Sequence, residues 1–150
     1  MFIKLVIGEC TLNFASAYAP QASLDEEVKR RFWESLDEVV HSIPPAERLF
    51  IGGDFKGHIR SVAGDYGEVH GGFGFGDRNG EGSSLLDFTK AFKLVIANSS
   101  FPKREEHLVT FRSSSLECGG VEAQAISSLL ILKLKEHFIE RGMSWKLGTK

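Results

Sequence analysis

The order of apolar and polar positions in the first third of the chain predicts two strands followed by one helix. Phe2–Ile7 and Thr11–Tyr18 are β-rich runs separated by Gly8-Glu9, and glycine supplies the positive φ that a tight hairpin turn requires. From Leu24 to Ile43, apolar residues recur at three- and four-residue steps, which is typical of an amphipathic helix. Pro44-Pro45 ends this pattern. We therefore expect an antiparallel hairpin and then a helix of about five turns.

The next segments predict a buried strand, a long loop and a second helix. Ser23 and Glu26 have the spacing of a capping box at the start of the first helix. Leu49–Phe55 is a short apolar run, and Gly57–Gly82 is rich in glycine without periodicity, as in a surface loop. A second helix is predicted to begin at Ser84. Two later strands are predicted, at Leu94–Ala97 and His107–Arg112.

The last third of the chain has a different pattern. Apolar residues between Val121 and Ile139 recur at helical spacing with charged residues between them, which predicts an amphipathic helix over about residues 121–140. Residues 142–150 have little pattern and predict a frayed tail. Alternating strands and helices before this segment predict a layered α/β or α+β domain. We expect one domain over residues 1–114 and a divergent tail over residues 115–150.

Composition limits the classes of function. A formal net charge of −2 provides no bulk positive field that would attract nucleic acid, so any such contact would be local. The two cysteines form no CxxC pair, which favours free thiols in a reducing compartment. No segment has the length of a membrane span, and the apolar start lacks the pattern of a secretion signal. We expect a soluble intracellular protein, and the twelve phenylalanines predict a Phe-rich core.

The sharpest candidate for chemistry is Asp54 in the run Gly52-Gly53-Asp54-Phe55-Lys56-Gly57. A carboxylate at the end of a buried strand, flanked by glycines, suits a base or a metal ligand held on a rigid element. The alternative is an aspartate that caps a turn, because Gly-Asp is common at strand ends. His58 and His70 lie in or beside the glycine-rich loop, and we interpret them as incidental.

Six short motifs occur in an order that resembles a known family. They are Ser16-Ala17-Tyr18-Ala19-Pro20, Gly52-Gly53-Asp54-Phe55, Gly76-Asp77-Arg78-Asn79-Gly80, Leu85-Leu86-Asp87-Phe88, Ala97-Asn98-Ser99-Ser100-Phe101 and Val109-Thr110-Phe111-Arg112. This series resembles the endonuclease/exonuclease/phosphatase (DNase I-like) superfamily. Within it, the chain is most similar to the craniofacial development protein 2-like group, which resembles the endonuclease domains of LINE-type retrotransposons. The resemblance covers about Phe2 to Ser114.

The resemblance implies an α+β fold and a hydrolytic site. The fold would be a two-sheet β-sandwich with flanking helices in four α/β/β/α layers, here a partial copy with a C-terminal helical tail. The activity would be phosphodiester hydrolysis with Mg²⁺, with DNA as the partner. Tyr18 would hydrogen-bond the phosphate, Asp54 would orient the water and bind the metal, and Asn98 and Thr110 would support the site. Such chemistry needs a cation to offset charge on the phosphate and a carboxylate to orient water.

Further residues follow from the same resemblance, and plainer interpretations stay open for several of them. Lys56, Arg78 and Asn79 are the predicted substrate-binding residues. Without the resemblance, Tyr18 is a core aromatic, Asn98 a turn residue and Thr110 an ordinary β-branched strand residue.

The sequence departs from the family at four places. Position 56 is lysine where the family has the asparagine of Gly-Asp-Phe-Asn, and an ammonium on the same strand face as Asp54 would pair with it. Ser127 stands where the family strand has the aspartate of Ile-Asp-Tyr, and a later Ser-Asp-His motif has no counterpart. The family's metal-binding glutamate comes from strands before Phe2. Asp54 alone is poor ligation for Mg²⁺.

The sequence leaves three functions open, and it does not decide whether the chain is an enzyme. We favour a catalytically impaired remnant of a Mg²⁺-dependent endonuclease domain. The alternatives are a weakly active Mg²⁺-dependent DNA endonuclease and a non-catalytic module that binds nucleic acid or protein. A partial sandwich would leave strand edges unpaired, which predicts self-association through them.

Overall fold

The computed structural model describes residues 1–74 and 76–102 with their side chains, and the backbone of residues 109–114, 121–125 and 128–133. The elements within this part are seven strands and two α-helices. The strands are β1 (Phe2–Ile7), β2 (Cys10–Tyr18), β3 (Arg48–Asp54), β4 (Val95–Ile96), β5 (Val109–Ser114), β6 (Val121–Ala125) and β7 (Ser128–Lys133), and the helices are α1 (Glu26–Ser42) and α2 (Gly80–Ala91). Short 3₁₀ turns lie at Gly64–Tyr66 and Ala97–Ser100.

The main sheet is mixed and has the strand order β1-β2-β3-β7-β4. β1 and β2 form an antiparallel hairpin whose turn is Gly8-Glu9, and Gly8 has the predicted positive φ of 58°. α1 connects β2 to β3, which run parallel in the register Leu12 opposite Arg48 to Tyr18 opposite Asp54. β7 runs antiparallel to both β3 and β4. β5 and β6 form a separate antiparallel pair.

The two helices cover one face of this sheet. Alternate residues of β2 and β3 point towards them, so that Ala15, Leu49 and Ile51 are buried while Phe14 on the other face is 38% exposed. α1 contributes its apolar stripe to the same core, which also contains residues of α2 and β4. The buried residues contributed by these elements are Leu36, Val40, Leu85, Leu86, Phe88, Leu94 and Ile96. The α+β class is therefore confirmed, and the two-sheet sandwich stays a prediction.

The prediction of a Phe-rich core was wrong for the described residues. Aliphatic side chains dominate the buried set, which includes Phe55 and Phe88 among the phenylalanines, while Phe2 and Phe14 are exposed. Phe2 lies on β1, the edge strand of the described sheet, which has a neighbouring strand on one side alone, and Phe14 of β2 points to the sheet face opposite the helices.

Both helix starts differ from the prediction. Asp25 is the N-cap of α1 and its side chain makes no capping hydrogen bond, so the capping box of Ser23 and Glu26 was wrong. A turn closed by the N–H of Leu24 donating to the Gln21 carbonyl places Ser23 before the helix instead. α2 begins at Gly80, four residues before the predicted Ser84. Helix propensity does not predict a helix start at Gly80, because glycine is a poor helix former.

The largest correction concerns the helix predicted over residues 121–140. Residues 121–125 and 128–133 are strands, so the helical prediction was wrong there, and residues 126–127 and 134–140 lie outside the described residues. A short apolar run such as Ser128–Lys133 fits a buried strand as well as a helix, and periodicity alone cannot separate them. The edges of β3 and β4 supply its hydrogen-bond partners. The tail predicted over 142–150 also lies outside the described residues.

No helix in the described part of the chain combines the length and the apolar character needed to cross a membrane.

Candidate functional site

Tyr18 and Asp54 lie side by side at one end of the main sheet. They are the last residues of the parallel strands β2 and β3 and are direct partners in the register. The close approach of these strands depends on Gly53, because a Cβ there would lie 1.8 Å from the Ala17 carbonyl oxygen. Tyr18 is 68% exposed, whereas the Asp54 side chain is 21% exposed. The sequence therefore correctly placed Asp54 at the end of a strand, and the structure puts the exposed Tyr18 ring beside it.

Lys56 completes a three-residue cluster with Tyr18 and Asp54, which we call the strand-end cluster. Its ammonium forms an ion pair with Asp54 Oδ2, and its backbone N–H donates to Asp54 Oδ1 at 3.2 Å. Lys56 Nζ also lies 5.1 Å from the centroid of the Tyr18 ring, within the range of a cation–π contact. The hydrogen bond to Asp54 raises the pKa of Lys56 above its ordinary value, against a smaller opposing effect of burial. Both carboxylate oxygens thus have a donor from Lys56.

The pairing of Asp54 and Lys56 was predicted, although its geometry was not. The prediction placed both residues on one face of a continuing strand, but β3 ends at Asp54. Lys56 instead has a positive φ of 53°, which is uncommon for a residue with a side chain. This local turn brings both the N–H and the ammonium of Lys56 back to the carboxylate.

Asn79, predicted to bind substrate, joins the segment after β3 to the start of α2. Its Oδ1 accepts from the N–H groups of Gly82 at 2.8 Å and His58 at 2.9 Å, and its Nδ2 donates to the Lys56 carbonyl at 3.0 Å. Gly82 allows this contact, because a Cβ there would lie 1.9 Å from the His58 carbonyl oxygen. The described role of Asn79 is therefore to hold the backbone of Lys56 in place.

Arg78, also predicted to bind substrate, has its described contact with Tyr66. The guanidinium carbon lies 4.8 Å from the centroid of that ring. The Tyr66 hydroxyl donates to Asp87 Oδ1 at 2.6 Å, and this hydrogen bond raises the pKa of Tyr66. Lys90 lies over the same ring at 5.4 Å. Arg78 thus belongs to a group that ties the glycine-rich loop to α2.

Asn98 and Thr110 are placed less closely. Ile51 of β3 and Ile96 of β4 are both partners of Ile131, so Asn98, two residues after Ile96, lies towards the end of the sheet at which β3 ends. Two strand spacings separate β4 from β3, which is about 10 Å. Thr110 lies in β5 at the irregularity between Val109 and Phe111. Its side chain lies outside the described residues, so its predicted role stays a prediction.

His70 has a structural role that the sequence analysis did not predict. It is buried, its Nδ1 accepts from the Gly72 N–H at 2.9 Å, and the other ring nitrogen lies 3.1 Å from the Arg60 carbonyl oxygen. With Nδ1 as an acceptor, Nε2 carries the proton and donates to Arg60. Nothing in the spacing distinguishes a buried histidine from an exposed one, so this role was missed.

A concave site of about 300 Å³ lies between the first turns of α1 and α2. Its lining includes Trp33, Phe55 and Lys29, whose ammonium lies 2.9 Å from Glu26 and 3.5 Å from Glu81. These carboxylates already neutralise the lysine. We assign this cavity no chemistry.

The described side chains do not form a site suited to Mg²⁺. Among residues 1–74 and 76–102, no group of three or more His, Cys, Asp or Glu side chains gathers as metal ligands would. Asp54 is held by an ammonium and an N–H donor from Lys56, and a cation would have to displace that ammonium. Mg²⁺ sites usually use one or two free carboxylates with substrate oxygens and water. The predicted metal role of Asp54 therefore does not fit this arrangement.

The fold and the strand-end cluster define an α+β domain with polar side chains at one sheet end, and comparison with known proteins adds a relationship. Craniofacial development protein 2 of Tragulus javanicus is 32% identical over 102 residues, which are 68% of this chain and 17% of that protein. The Bos taurus protein of the same name is 31% identical over the same shares. The matched part thus spans about a sixth of the length of these relatives. No family model matches the chain, and no solved structure matches it significantly.

Proposed function

We propose that the chain is a nuclease-like domain in which phosphodiester hydrolysis is impaired. The reason is that Lys56 forms an ion pair with Asp54, the carboxylate that would orient water. The sequence similarity to craniofacial development protein 2 and the ordered motifs support the nuclease ancestry. The observation that carries the proposal is the Lys56–Asp54 ion pair at the end of β3.

The impairment follows from the charge on the carboxylate. A general base or metal ligand needs lone pairs that water or a cation can reach. Both oxygens of Asp54 accept from Lys56, and the ammonium would repel an approaching Mg²⁺. β7 begins beside this site, since Ser128 is the backbone partner of Asp54, and no residue from Ser127 to Leu132 is acidic. A second carboxylate is thus not supplied by that strand.

A plasmid-nicking assay with added Mg²⁺ tests this proposal. We expect the unmodified chain to cleave no more than Asp54→Ala does. Lys56→Asn removes the ammonium from Asp54 and should raise cleavage if that ammonium is the main obstacle, whereas Lys90→Asn removes an ammonium elsewhere and should change nothing. Mg²⁺-dependent cleavage by the unmodified chain that disappears in Asp54→Ala would instead establish a weakly active endonuclease.

A non-catalytic function in nucleic-acid binding has one observation in its favour. The Tyr18 ring is 68% exposed and lies beside the ammonium of Lys56, and proteins that bind single strands combine stacking aromatics with cations. Stacking of one base contributes about 1–3 kcal/mol, so Tyr18→Ala should weaken binding roughly 5- to 150-fold. Fluorescence anisotropy with a labelled single-stranded oligonucleotide at low salt measures this. A flat titration of the unmodified chain would remove this function.

A further inference from the structure

Part of the glycine-rich loop is attached to β4 and to the turn that follows it. His70 is a parallel backbone partner of Ile96, whose N–H donates to the Val69 carbonyl at 2.9 Å. The Gly71 N–H donates to Ser99 Oγ at 2.9 Å. These contacts use backbone and hydroxyl groups, which do not change their charge between about pH 5 and pH 8. This side of the attachment is therefore insensitive to pH over that range.

The His70 ring closes the other side of the same segment. The residue is 2% exposed, its Nδ1 accepts from the Gly72 N–H at 2.9 Å, and its Nε2 donates to the Arg60 carbonyl at 3.1 Å. Gly74 packs against that carbonyl, because a Cβ on it would lie 1.9 Å from the Arg60 oxygen and 3.5 Å from His70 Nε2. Residues 72–74 therefore lie against the ring and enclose it.

The backbone at both ends of this contact is in the left-handed region. Arg60 has a φ of 72°, which is uncommon for a residue with a side chain, and Gly72 has a φ of 94°. A non-glycine residue stays in this region only where surrounding contacts hold it there. The hydrogen bond from His70 to the Arg60 carbonyl is one of those contacts. The loop is therefore sensitive to a change in the hydrogen bonds of this ring.

Protonation of His70 is incompatible with the arrangement. A neutral imidazole has one donor and one acceptor nitrogen, whereas both nitrogens donate in the imidazolium. A proton added at Nδ1 would point at the Gly72 N–H across 2.9 Å, so two donors would face each other. Nε2 keeps its hydrogen bond to the Arg60 carbonyl, which becomes charge-assisted. The Gly72 side of the ring must then open while the Arg60 side stays closed.

The charged groups around the ring do not offset this effect. The segments packed against it carry four ionisable side chains, those of Arg60, Asp65, Tyr66 and Glu68. Arg60, Asp65 and Glu68 are exposed, and the Tyr66 hydroxyl donates to Asp87. Both described hydrogen bonds of the ring go to backbone groups. An enclosed imidazolium without a carboxylate partner is costly, and movement of residues 72–74 would let water reach it.

We propose that His70 is an acid-sensitive latch, in which protonation at Nδ1 releases residues 72–74 while the residues before them stay attached to β4. The Phe73 N–H, which donates to the Ser99 carbonyl at 3.0 Å, is released with this segment. Ser99 follows Asn98 and lies towards the sheet end at which β3 ends, so acid pH widens access to that end. The latch does not depend on the proposed function.

Amide hydrogen exchange followed by NMR tests the latch at about pH 8 and about pH 5, which bracket the range over which histidine usually changes charge. After correction for the intrinsic pH dependence of exchange, protection of the Gly72 and Phe73 amides should fall roughly tenfold at the lower pH. The Ile96 amide, which bonds to Val69, should keep its protection. Equal protection of Gly72 and Phe73 at both values would overturn the proposal.

Two glutamine variants separate this ring from other groups that titrate. Glutamine at position 70 offers a donor and an acceptor but gains no proton in this range, so in His70→Gln the change in protection should disappear. His58→Gln is the matched control, because the described hydrogen bonds of His58 use its backbone, and it should keep the change. A loss of protection at acid pH that persists in His70→Gln would contradict the latch.

The ring nitrogens of the unmodified chain provide a test that needs no variant. At the higher pH, their NMR shifts should report a proton on Nε2 and none on Nδ1, as the two hydrogen bonds require. A proton should appear on Nδ1 over the same pH range in which Gly72 loses its protection. Protonation of Nδ1 while Gly72 stays protected would show that the ring does not hold the segment closed.

Discussion

Gly53→Ala is expected to loosen the junction between β2 and β3 that carries the strand-end cluster. The added Cβ would lie 1.8 Å from the Ala17 oxygen and 2.7 Å from its carbonyl carbon. Real Cβ atoms essentially never approach closer than 3.0 Å, so the strands must separate by at least about 1 Å. Backbone atoms make this contact, so no side chain can rotate away to relieve it.

The cost can be estimated from two contributions. Overpacking in a well-packed region costs about 1–3 kcal/mol. Separation of the strands also weakens ladder hydrogen bonds near Ala17, each of which contributes about 0.5–1.5 kcal/mol net. We expect a loss of about 3 kcal/mol, which is a large share of the roughly 5–15 kcal/mol that stabilises a typical domain.

Urea unfolding followed by circular dichroism measures this loss. Gly67→Ala is the matched control, because no atom lies within 4 Å of its added Cβ and its φ of −56° suits alanine. The control should be unchanged or more stable by up to about 1 kcal/mol. If Gly53→Ala unfolds within about 0.5 kcal/mol of the unmodified chain, the close approach of these strands is not what stabilises the junction.

Three further predictions concern the side chains of Asn79, Glu47 and Tyr66. Asn79→Ala removes the cap of α2 and two loop hydrogen bonds, and should cost about 2 kcal/mol in chemical unfolding. Hydrogen bonds from Lys4 and, to a smaller extent, from Asn13 lower the pKa of Glu47 in the folded state. The ionised Glu47 therefore stabilises the fold fully above its unfolded pKa of about 4.3, and this stabilisation is lost as the pH falls through the lower pKa of the folded state. Acid unfolding of Glu47→Gln should therefore lack that part of the pH dependence. Tyr66→Phe should remove the tyrosine whose pKa the hydrogen bond to Asp87 raises, so the high-pH step of an ultraviolet titration should disappear.

Each of these has a control. Asn79→Asp keeps the capping oxygen and should retain most of the stability, so equal losses in both variants would contradict a capping role. Glu38→Gln removes an exposed carboxylate of α1 and is the control for Glu47→Gln. If both variants change the pH dependence of unfolding at acid pH equally, Glu47 has no special role. Tyr18→Phe should leave the high-titrating tyrosine in place.

Much of the first half of the fold follows from local pattern. The β-rich runs of β1 and β2, the turn glycine and the Pro-Pro stop of α1 each act over a few residues, so the hairpin and the helix end were predicted correctly. The strand end at Asp54 was predicted within one residue. Helix starts were predicted less well, because a backbone turn and an asparagine cap decided them instead of the residues with the highest propensity.

The candidate site was partly predictable. Tyr18, Asp54 and Lys56 were named from the sequence, and the structure brings them together. Asn79 was named for substrate binding, yet its side chain holds the backbone of Lys56. No pattern along the chain reveals such a contact, because it joins residues that are distant in sequence.

The sequence by itself determined which segments could alternate as strands, where glycine and proline would turn the chain, and that a carboxylate and a lysine would stand near a strand end. Tertiary structure decided the rest. The run Ser128–Lys133 is apolar enough for a helix or a strand, and it is a strand because β3 and β4 offer it backbone partners on both sides. Likewise, Asp54 is an ion-paired carboxylate because the chain reverses at Lys56. Hydrogen bonds and ion pairs between segments that are distant in sequence leave no trace in local periodicity. Only the tertiary structure determines them.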